Sequence, residues 1–272
     1  MLKIYTILLL CLAAHNLSAQ YGTLDPTFGQ GGLVQTWYKS KYAQGHDMLL
    51  LPDGKIMVAG VVTDSLDRLT VWRYLSNGDL DITFGTKGVA TLPNQPSGSV
   101  GLTMALQTDG KIIVAGHINY GTDSDLLLVR FLADGKIDGS FGGNGFATLD
   151  IWGDLDFANN VAIQPDGSIV VVGTAIQTAK GYHLLVARFR PDGILDSSFG
   201  DSGIIVPDYG IDNAWGDGVA VLKDGKILVG AAYFDVQGFG VQSEYNMLVR
   251  YLPDGSPDLS FGQRSSNLQF SS

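Results

Sequence analysis

A fourfold internal repeat constrains this chain more than any other feature. A Phe-Gly pair recurs five times along the chain. Two other motifs recur at nearly the same spacing: an Asp-Gly turn and an Arg-aromatic pair. The Phe-Gly pairs begin at Phe28, Phe84, Phe141, Phe199 and Phe261, the turns lie in 52–56, 108–112, 165–169 and 223–227, and the pairs begin at Arg73, Arg130, Arg188 and Arg250. Three motifs in register over four copies indicate a repeat architecture, in which each unit is one supersecondary element.

Each unit contains four short apolar stretches. In the third unit they are 160–164, 169–175, 184–189 and 203–206. A Pro-Asp-Gly turn separates the first two, which is a strong β-hairpin signal. Four antiparallel strands in a unit of this length are typical of a propeller blade. We therefore predict an all-β fold, a β-propeller of four four-stranded blades.

The acidic residues support this prediction. Of the 27 acidic residues, 26 are Asp and only Glu244 is Glu. Glu is a good helix former, whereas Asp favours turns because its side chain accepts hydrogen bonds from nearby backbone N–H groups. With 36 glycines as well, the chain is composed for turns and strands, and we expect almost no helix after the N-terminal segment.

The N-terminal segment has the layout of a secretory signal peptide. One Lys precedes an apolar run that ends at small residues, and we expect cleavage after Ala19. Residues 1–19 are thus predicted to be a signal peptide and 20–272 the propeller domain, which would be secreted or displayed at the cell surface. The single cysteine, Cys11, lies in the signal peptide, so the exported chain would have no disulfide and no thiol chemistry. A net charge of −10 disfavours nucleic acid and anionic lipid as partners, and no later stretch is long enough to span a membrane.

The repeated motifs GxLDxxFGxxG, DGKI and Arg-aromatic resemble those of the delta-60 repeat family. The resemblance covers residues 22–262. It implies an exported bacterial β-propeller whose molecular function is largely unassigned. One departure occurs near the C-terminus, where Ser265 replaces the glycine found at Gly32, Gly88, Gly145 and Gly203.

The LDxxFG motif is predicted to form the same corner in every blade. The corner motifs are 24–29, 80–85, 137–142, 195–200 and 257–262. We expect the Asp to cap the turn and the Phe to fill the gap between neighbouring blades. The Asp residues are Asp25, Asp81, Asp138, Asp196 and Asp258. The repeated Arg is expected to pair with the repeated Asp, for example Arg130 with Asp138.

Two arrangements of the ring are open at this point. Propellers are often closed by an N-terminal strand that completes the last blade, and residues 32–37 could form the outer strand of the fourth blade. Four blades would be the low end for this architecture. The alternative is an open arc of a larger ring.

Strand direction sorts the connections into two faces. The uniform face carries the DGK turns and the LDxxFG corners, which hardly vary between units. The variable face carries two sets of connections that differ from unit to unit: 37–46, 93–100, 150–158 and 208–216, and 63–68, 117–125, 175–183 and 232–245. Because variable loops on a rigid scaffold often carry function, we predict the binding site on the variable face.

The candidate ligand-binding residues are aromatic and acidic side chains of the variable face. Aromatic residues in loops form platforms for sugars or anchors for a protein partner. The alternative interpretation is that they only pack the loops onto the blades. The candidates are Trp37, Tyr38, Tyr120, Trp152, Asp154, Asp156, Tyr182, Trp215, Asp217 and Tyr233, with Tyr42 and Tyr245 nearby.

Other motifs are better explained by structure than by chemistry. The GDSG at 200–203 resembles a serine-protease motif, but it aligns with a corner in every other unit and has no triad partners. The histidines His46, His117 and His183 occupy different places in three units. The pairs Asp123/Asp125 and Asp154/Asp156 could bind calcium through oxygen ligands, but turn formation is the favoured role. We predict no catalytic residue, no metal and no cofactor.

The favoured function is a non-enzymatic binding or interaction module whose partner is a surface glycan or a protein. The alternative is a carbohydrate-active enzyme with Asp residues near the channel mouth, which requires two or three carboxylates from different blades to converge. A purely structural spacer is a third possibility. The ligand and the oligomeric state stay open.

Overall fold

The computed structural model describes residues 22–37, 42–93, 97–178, 180–208, 213–237 and 241–262. Within these residues the chain forms fifteen β-strands and no helix. The predicted signal peptide, residues 1–19, and the candidate Tyr38 lie outside the described residues.

The strands form four antiparallel sheets in chain order. Sheet 1 contains β1 (Tyr42–Leu50), β2 (Ile56–Thr63), β3 (Asp67–Tyr74) and β4 (Val89–Thr91). Sheet 2 contains β5 (Ser99–Leu106), β6 (Ile112–Asn119), β7 (Ser124–Phe131) and β8 (Phe146–Leu149). Sheet 3 contains β9 (Asp156–Ile163), β10 (Ile169–Gln177), β11 (Gly181–Phe189) and β12 (Ile204–Ile205). Sheet 4 contains β13 (Ala214–Val221), β14 (Ile227–Gln237) and β15 (Val241–Tyr251). The predicted all-β propeller fold is confirmed.

The hydrophobic core lies between the sheets, in three separate layers. One layer joins sheets 1 and 2, the next joins sheets 2 and 3, and the last joins sheets 3 and 4. Successive side chains of a strand point to opposite faces, so Ile112 contributes to the first layer and Ile113 to the second. This two-sided burial explains the uninterrupted apolar runs of the middle sheets.

Each inner strand carries a one-residue bulge opposite a repeated glycine. Within sheet 3 the register shifts between Ala158 and Asn160, where β9 faces Gly173. A Cβ at Gly173 would lie 1.8 Å from the carbonyl oxygen of Phe157. Only glycine fits this close backbone approach.

The corner motif joins consecutive sheets as predicted. In the corner of sheet 2, Asp138 Oδ1 accepts hydrogen bonds from the backbone N–H and the hydroxyl of Ser140, at 3.1 and 2.6 Å. Phe141 is fully buried, and the N–H of Gly142 donates to the carbonyl of Asp192 in sheet 3 at 2.7 Å. Phe84 and Phe199 are equally buried, whereas the terminal corners leave Phe28 and Phe261 partly exposed.

The predicted Arg-Asp pair is also confirmed. Arg130 Nε donates to Asp138 Oδ2 at 2.8 Å, and Nη1 donates to the carbonyl of Pro191 in sheet 3 at 2.5 Å. The guanidinium lies 4.6 Å from the centre of the Phe141 ring. Burial opposes ionisation of Asp138, but its hydrogen bonds with Ser140 and the charge of Arg130 outweigh burial and lower its pKa. The same ion pair recurs between Arg73 and Asp81, Arg188 and Asp196, and Arg250 and Asp258.

The structure contradicts closure by the N-terminal strand. Sheet 4 has three strands among the described residues, and residues 33–37 pair with none of them. The N-terminal segment instead lies against sheet 1, where Gly29 N–H donates to the carbonyl of Asn77 at 2.8 Å. The inner strands contact one another in the order β1, β5, β9, β13, and no comparable contact joins β13 to β1 in the described part of the chain. The four sheets therefore form an open arc. The fourfold repeat could not reveal this, because the N-terminal corner fits equally well before any sheet.

Candidate functional site

Strand directions place the two predicted faces at opposite ends of the sheets. The β1–β2 turn and the β3–β4 corner lie at one end, and the β2–β3 loop and the β4–β5 connection at the other, and the other sheets repeat this arrangement. The division into a uniform and a variable face therefore follows directly from the antiparallel order of the strands.

Three connections of the variable face are joined between sheets 2 and 3. They are the β6–β7 loop (120–123), the β8–β9 connection (150–155) and the β10–β11 loop (178–180). Asp154 links them: its carboxylate accepts hydrogen bonds from the N–H and the hydroxyl of Thr178, at 2.9 and 2.7 Å, and its carbonyl accepts one from Ser124 N–H at 3.2 Å. The hydrogen bonds with Thr178 lower the pKa of Asp154. Asp154 is thus a structural link between loops, a role that the sequence did not predict for it.

Two candidate aromatic residues, Tyr120 and Trp152, lie on these connections, and a third, Tyr182, lies in β11 just after them. Because successive side chains of a strand alternate, Tyr182 lies on the face of β11 that packs toward sheet 4, opposite to His183. Tyr120, Trp152 and Tyr182 are 48%, 41% and 48% exposed. The ring of Trp152 meets the ring of His183 edge-on, with 5.0 Å between their centres. The interpretation that these residues only fill space under the loops does not fit their exposure.

Three carboxylates converge beside these aromatic residues. Asp123 and Asp125 come from the start of β7 and the loop before it, and Asp150 follows β8. One oxygen from each lies within 4.8 Å of the others. Burial raises the pKa of Asp125, and the charges of Asp123 and Asp150 raise it further. Burial and the charges of Asp125 and Asp123 also raise the pKa of Tyr120.

Asp156, the first residue of β9, is 1% exposed. Its Oδ2 accepts the N–H of Ile151 at 2.8 Å, while its Oδ1 is buried without a hydrogen-bond partner. Burial raises its pKa to about 7, with contributions from Asp150, Asp125 and Asp123. Asp156 is not one of the three carboxylates that converge.

The remaining candidates do not join this group. Trp215 is partly buried and packs on Phe234 in sheet 4, with 4.7 Å between ring centres. Tyr233 stacks on Tyr245 at 4.9 Å, and Asp217 is the exposed bulge residue of β13. For Trp215 and Tyr233, packing within sheet 4 is the observed role.

Trp37 belongs to a different region. It is 91% exposed and lines a cavity of about 920 Å³ with β4 and residues 134–137. This cavity lies at the outer edge of sheets 1 and 2, on the opposite side of sheet 2 from sheet 3. Trp37, Trp152 and Trp215 therefore lie in different parts of the protein: at the outer edge of sheets 1 and 2, on the β8–β9 connection and in sheet 4.

The serine of the GDSG motif and the buried histidine have structural roles. Ser202 has a positive φ of 53°. It lies in the corner of sheet 3, where Asp201 N–H donates to the carbonyl of Ile204. His117 is mostly buried against Phe157, and burial lowers its pKa to about 4. No cluster of potential metal ligands in the described residues contains a histidine.

The sequence missed the acidic cluster as a group. Asp123 and Asp125 form a recognisable pair in the sequence, but nothing in the sequence places Asp150 close to them. The spacing carries no signal, because Asp150 reaches the pair only through the pairing of β7 with β8, where Leu126 faces Leu149.

In the described residues, no helix is long and apolar enough to cross a membrane.

A family model matches four segments of the chain. The segments are 51–84, 107–141, 164–199 and 222–261, and the family is a domain of unknown function (DUF5122) that forms β-propellers. Together they make up more than half of the chain. The chain belongs to this family. Each matched segment of the DUF5122 propeller begins just before the first hairpin turn of a sheet and ends at the Phe of its corner. The segments therefore contain the repeated turns and corners together with one loop of the variable face, and they leave out the connections between consecutive sheets.

Solved structures of other proteins resemble the chain only weakly. No curated protein matches the chain significantly. A GH43 endo-arabinanase from Bacillus licheniformis is similar at 14% identity and a TM-score of 0.45, over 78% of this chain and 74% of its own. A neuraminidase-like protein of subtype N11 from A/flat-faced bat/Peru/033/2010 (H18N11) is similar at 12% identity and a TM-score of 0.45, over 84% and 68%. A GDP-Man-dependent mannosyltransferase from Leishmania mexicana, MPT-1, is similar at 16% identity and a TM-score of 0.37, over 77% and 69%.

Proposed function

We propose that this DUF5122 propeller is an exported binding module of the delta-60 repeat type, and that its ligand is a surface glycan. The binding surface consists of the exposed rings of Tyr120 and Trp152. Export rests on the signal-peptide layout of residues 1–19.

The observation that carries this proposal is the exposure of two large aromatic side chains, Tyr120 and Trp152, on connections at the same end of sheet 2. Exposed aromatic rings with fixed backbones offer flat apolar surface at little entropic cost. The exposed carboxylate of Asp150 beside them can accept hydrogen bonds from hydroxyl groups. A sugar presents both an apolar C–H face and hydroxyl groups, so it matches both features. A protein partner would use the same rings as anchors, and the experiment below distinguishes the two.

A carbohydrate-active enzyme is less well supported. Carboxylates do converge, as such an enzyme requires, and the pKa of Asp156 is near the value useful to a general acid. However, Asp156 is 1% exposed and its Oδ2 is engaged by Ile151. A general acid has to reach the bond that it protonates, and Asp156 is covered.

Binding to an array of surface glycans and to a panel of cell-surface proteins tests the proposal. Trp152→Ala and Tyr120→Ala should each weaken glycan binding by at least about tenfold, because each removes roughly 1.4 kcal/mol or more of ring contact. Trp37→Ala is the matched control, since Trp37 is even more exposed but lies at another edge. Equal effects of Trp37→Ala and Trp152→Ala would refute the proposed surface. Binding to a protein and to no glycan would refute the ligand class.

A further inference from the structure

We propose that this chain self-associates head to tail, with sheet 4 of one copy docking onto sheet 1 of a second copy. The open face of sheet 1 is the face turned away from sheet 2, and the open face of sheet 4 is the face turned away from sheet 3. The N-terminal segment, residues 24–37, covers part of the open face of sheet 1, and the second copy displaces it. This association goes beyond the proposed glycan binding and does not depend on it.

The N-terminal segment lies on sheet 1 where a corner of a preceding sheet lies on each later sheet. Gly29 N–H donates to the carbonyl of Asn77 at 2.8 Å. The same bond joins each internal corner to the sheet that follows it: Gly85 to Asp134, Gly142 to Asp192 and Gly200 to Asp254, at 2.7–2.9 Å. Sheet 1 therefore carries the same docking site for a corner that sheets 2, 3 and 4 carry.

The N-terminal segment fills this site less well than the internal corners fill theirs. Phe28 is partly exposed, whereas the Phe residues of the three internal corners are fully buried. A Cβ at Gly78 would lie 3.2 Å from the ring of Phe28, compared with 2.8–2.9 Å for the internal corners. Asp25 is exposed, and no Lys or Arg of the described residues lies within ion-pair distance of it. The segment is thus a weakly held cover.

The rest of the open face of sheet 1 exposes apolar side chains. Met48 and Leu50 of β1 are 66% and 67% exposed. Their strand register matches them with Met104 and Leu106 of sheet 2. Met104 is 6% exposed and Leu106 is partly buried, because both pack in the layer between sheets 1 and 2. The same side chains are therefore buried where a preceding sheet is present.

The open face of sheet 4 also exposes a residue that is buried in every other sheet. Leu248, two residues before the repeated Arg250, is 59% exposed. The residues at this position in the other sheets are fully buried against the following sheet: Val71, Leu128 and Val186. Exposed apolar surface of this kind marks an interaction site.

Polar groups at the corner of sheet 4 match the same site on sheet 1. In the other sheets Nη1 of the repeated Arg donates to a carbonyl of the following sheet, at Ala133, Pro191 and Pro253. Within the described part of the chain, neither Nη1 of Arg250 nor the N–H of Gly262 has such an acceptor. The matching carbonyls on sheet 1 are those of Ser76 and Asn77.

A second copy suits both open faces because the contact continues the interface that already joins the sheets of one chain. The four sheets form an open arc, so sheet 4 does not reach sheet 1 of its own chain. Arg250 pairs with Asp258 at 2.8 Å and lies 4.5 Å from the centre of the Phe261 ring. The corner at 257–262 therefore has the cation that the N-terminal segment lacks, and it should displace that segment. A head-to-tail contact forms a ring where the rotation closes and a longer chain where it does not.

Sedimentation velocity and light scattering over a wide range of protein concentration measure the association of the purified exported chain. We expect a monomer at low concentration and dimers or larger assemblies at high concentration. Phe28→Ala and Phe261→Ala are a matched pair, because the two rings occupy the same place in the corner motif. Phe28→Ala loosens the cover and should strengthen association severalfold, whereas Phe261→Ala should weaken it by at least about tenfold.

Circular dichroism verifies that both variants are folded. Effects of Phe28→Ala and Phe261→Ala in the same direction would overturn the proposed displacement. A wild-type chain that stays monomeric at every concentration would overturn the whole proposal.

A mixing experiment identifies the two faces. Met48→Asp and Leu248→Asp should each be monomeric, because each variant loses one of the two faces. An equimolar mixture of the two variants should form a dimer, since the intact sheet 4 of one meets the intact sheet 1 of the other. Ile82→Asp is the control: Ile82 is 73% exposed but lies in the corner between sheets 1 and 2, so association should be unchanged. A mixture that stays monomeric would show that these two faces do not meet.

Discussion

Truncation of the buried corner phenylalanine measures how strongly neighbouring sheets are held together. Phe141 is fully buried between sheets 2 and 3. A Cβ at Gly193 of sheet 3 would lie 2.8 Å from the ring atom Cε2, so the ring packs directly on that glycine. On its other side, the guanidinium of Arg130 lies 4.6 Å from the ring centre. Phe141→Ala would remove both contacts and leave a cavity that neighbouring strands cannot fill.

The expected loss follows from these contacts. A buried Phe→Ala substitution costs about 3–5 kcal/mol, and the lost cation–π contact adds about 0.5–1 kcal/mol. We therefore expect the free energy of unfolding to fall by about 3.5–6 kcal/mol. Phe261 occupies the same place in the last corner and contacts Arg250 at 4.5 Å, but it is partly exposed and no further sheet packs on it in the described residues. Phe261→Ala should therefore cost about half as much.

Urea unfolding followed by tryptophan fluorescence and by circular dichroism measures both variants. Coincident transitions justify a two-state analysis. If Phe141→Ala leaves too little stability to measure, Phe141→Leu and Phe261→Leu give the same comparison at lower cost. Equal losses at the two positions would refute the conclusion that the ring acts between sheets, because both rings make the same contacts within their own corner.

Three further predictions concern the same interfaces and a buried histidine. Gly193→Ala should lower the free energy of unfolding by about 2 kcal/mol more than Gly121→Ala, as measured by urea unfolding. Both glycines have a positive φ, but only the added Cβ at Gly193 would clash with Phe141. Equal losses would mean that the backbone strain at positive φ accounts for the whole effect. Arg130→Met should cost up to about 3–5 kcal/mol because it removes the guanidinium that contacts the buried carboxylate of Asp138 and leaves only the ammonium group of Lys111, 3.9 Å away. Adding Asp138→Asn should recover part of that loss, and no recovery would show that the ion pair is not the cause. The folded-state pKa of His117 is lowered to about 4, so the unfolded chain binds the extra proton first as the pH falls. The free energy of unfolding should therefore fall by about 3 kcal/mol between pH 6.5 and pH 4. His117→Val, which copies Val61 of sheet 1, should lose this part of the pH dependence in thermal unfolding, and an unchanged profile would contradict the prediction.

The sequence predicted the scaffold because the scaffold is repeated. Each corner pairs an Arg with an Asp eight residues later, and the ion pair appears in all four sheets. A feature present four times can be recognised by comparing the copies, with no knowledge of the fold. The turn-capping role of Asp138 and the burial of Phe141 were predictable for the same reason.

The candidate site was predicted only in part, because it is not repeated. The exposed rings of Tyr120, Trp152 and Tyr182 could be placed on the variable face from strand direction alone. The role of Asp154 as a link and the burial of Asp156 depend on contacts between separate connections, and these have no period in the sequence. Trp37 lies apart from these residues because the N-terminal segment packs on sheet 1.

The division of the core into three layers has a consequence for how such proteins evolve. Each layer is made by two adjacent sheets and does not depend on the others. Duplication or loss of one unit therefore adds or removes a single layer and leaves the packing elsewhere intact, with stability changing in nearly equal steps. Blade number in this family can accordingly drift by unequal recombination between copies, while the connections on the opposite end diversify one blade at a time.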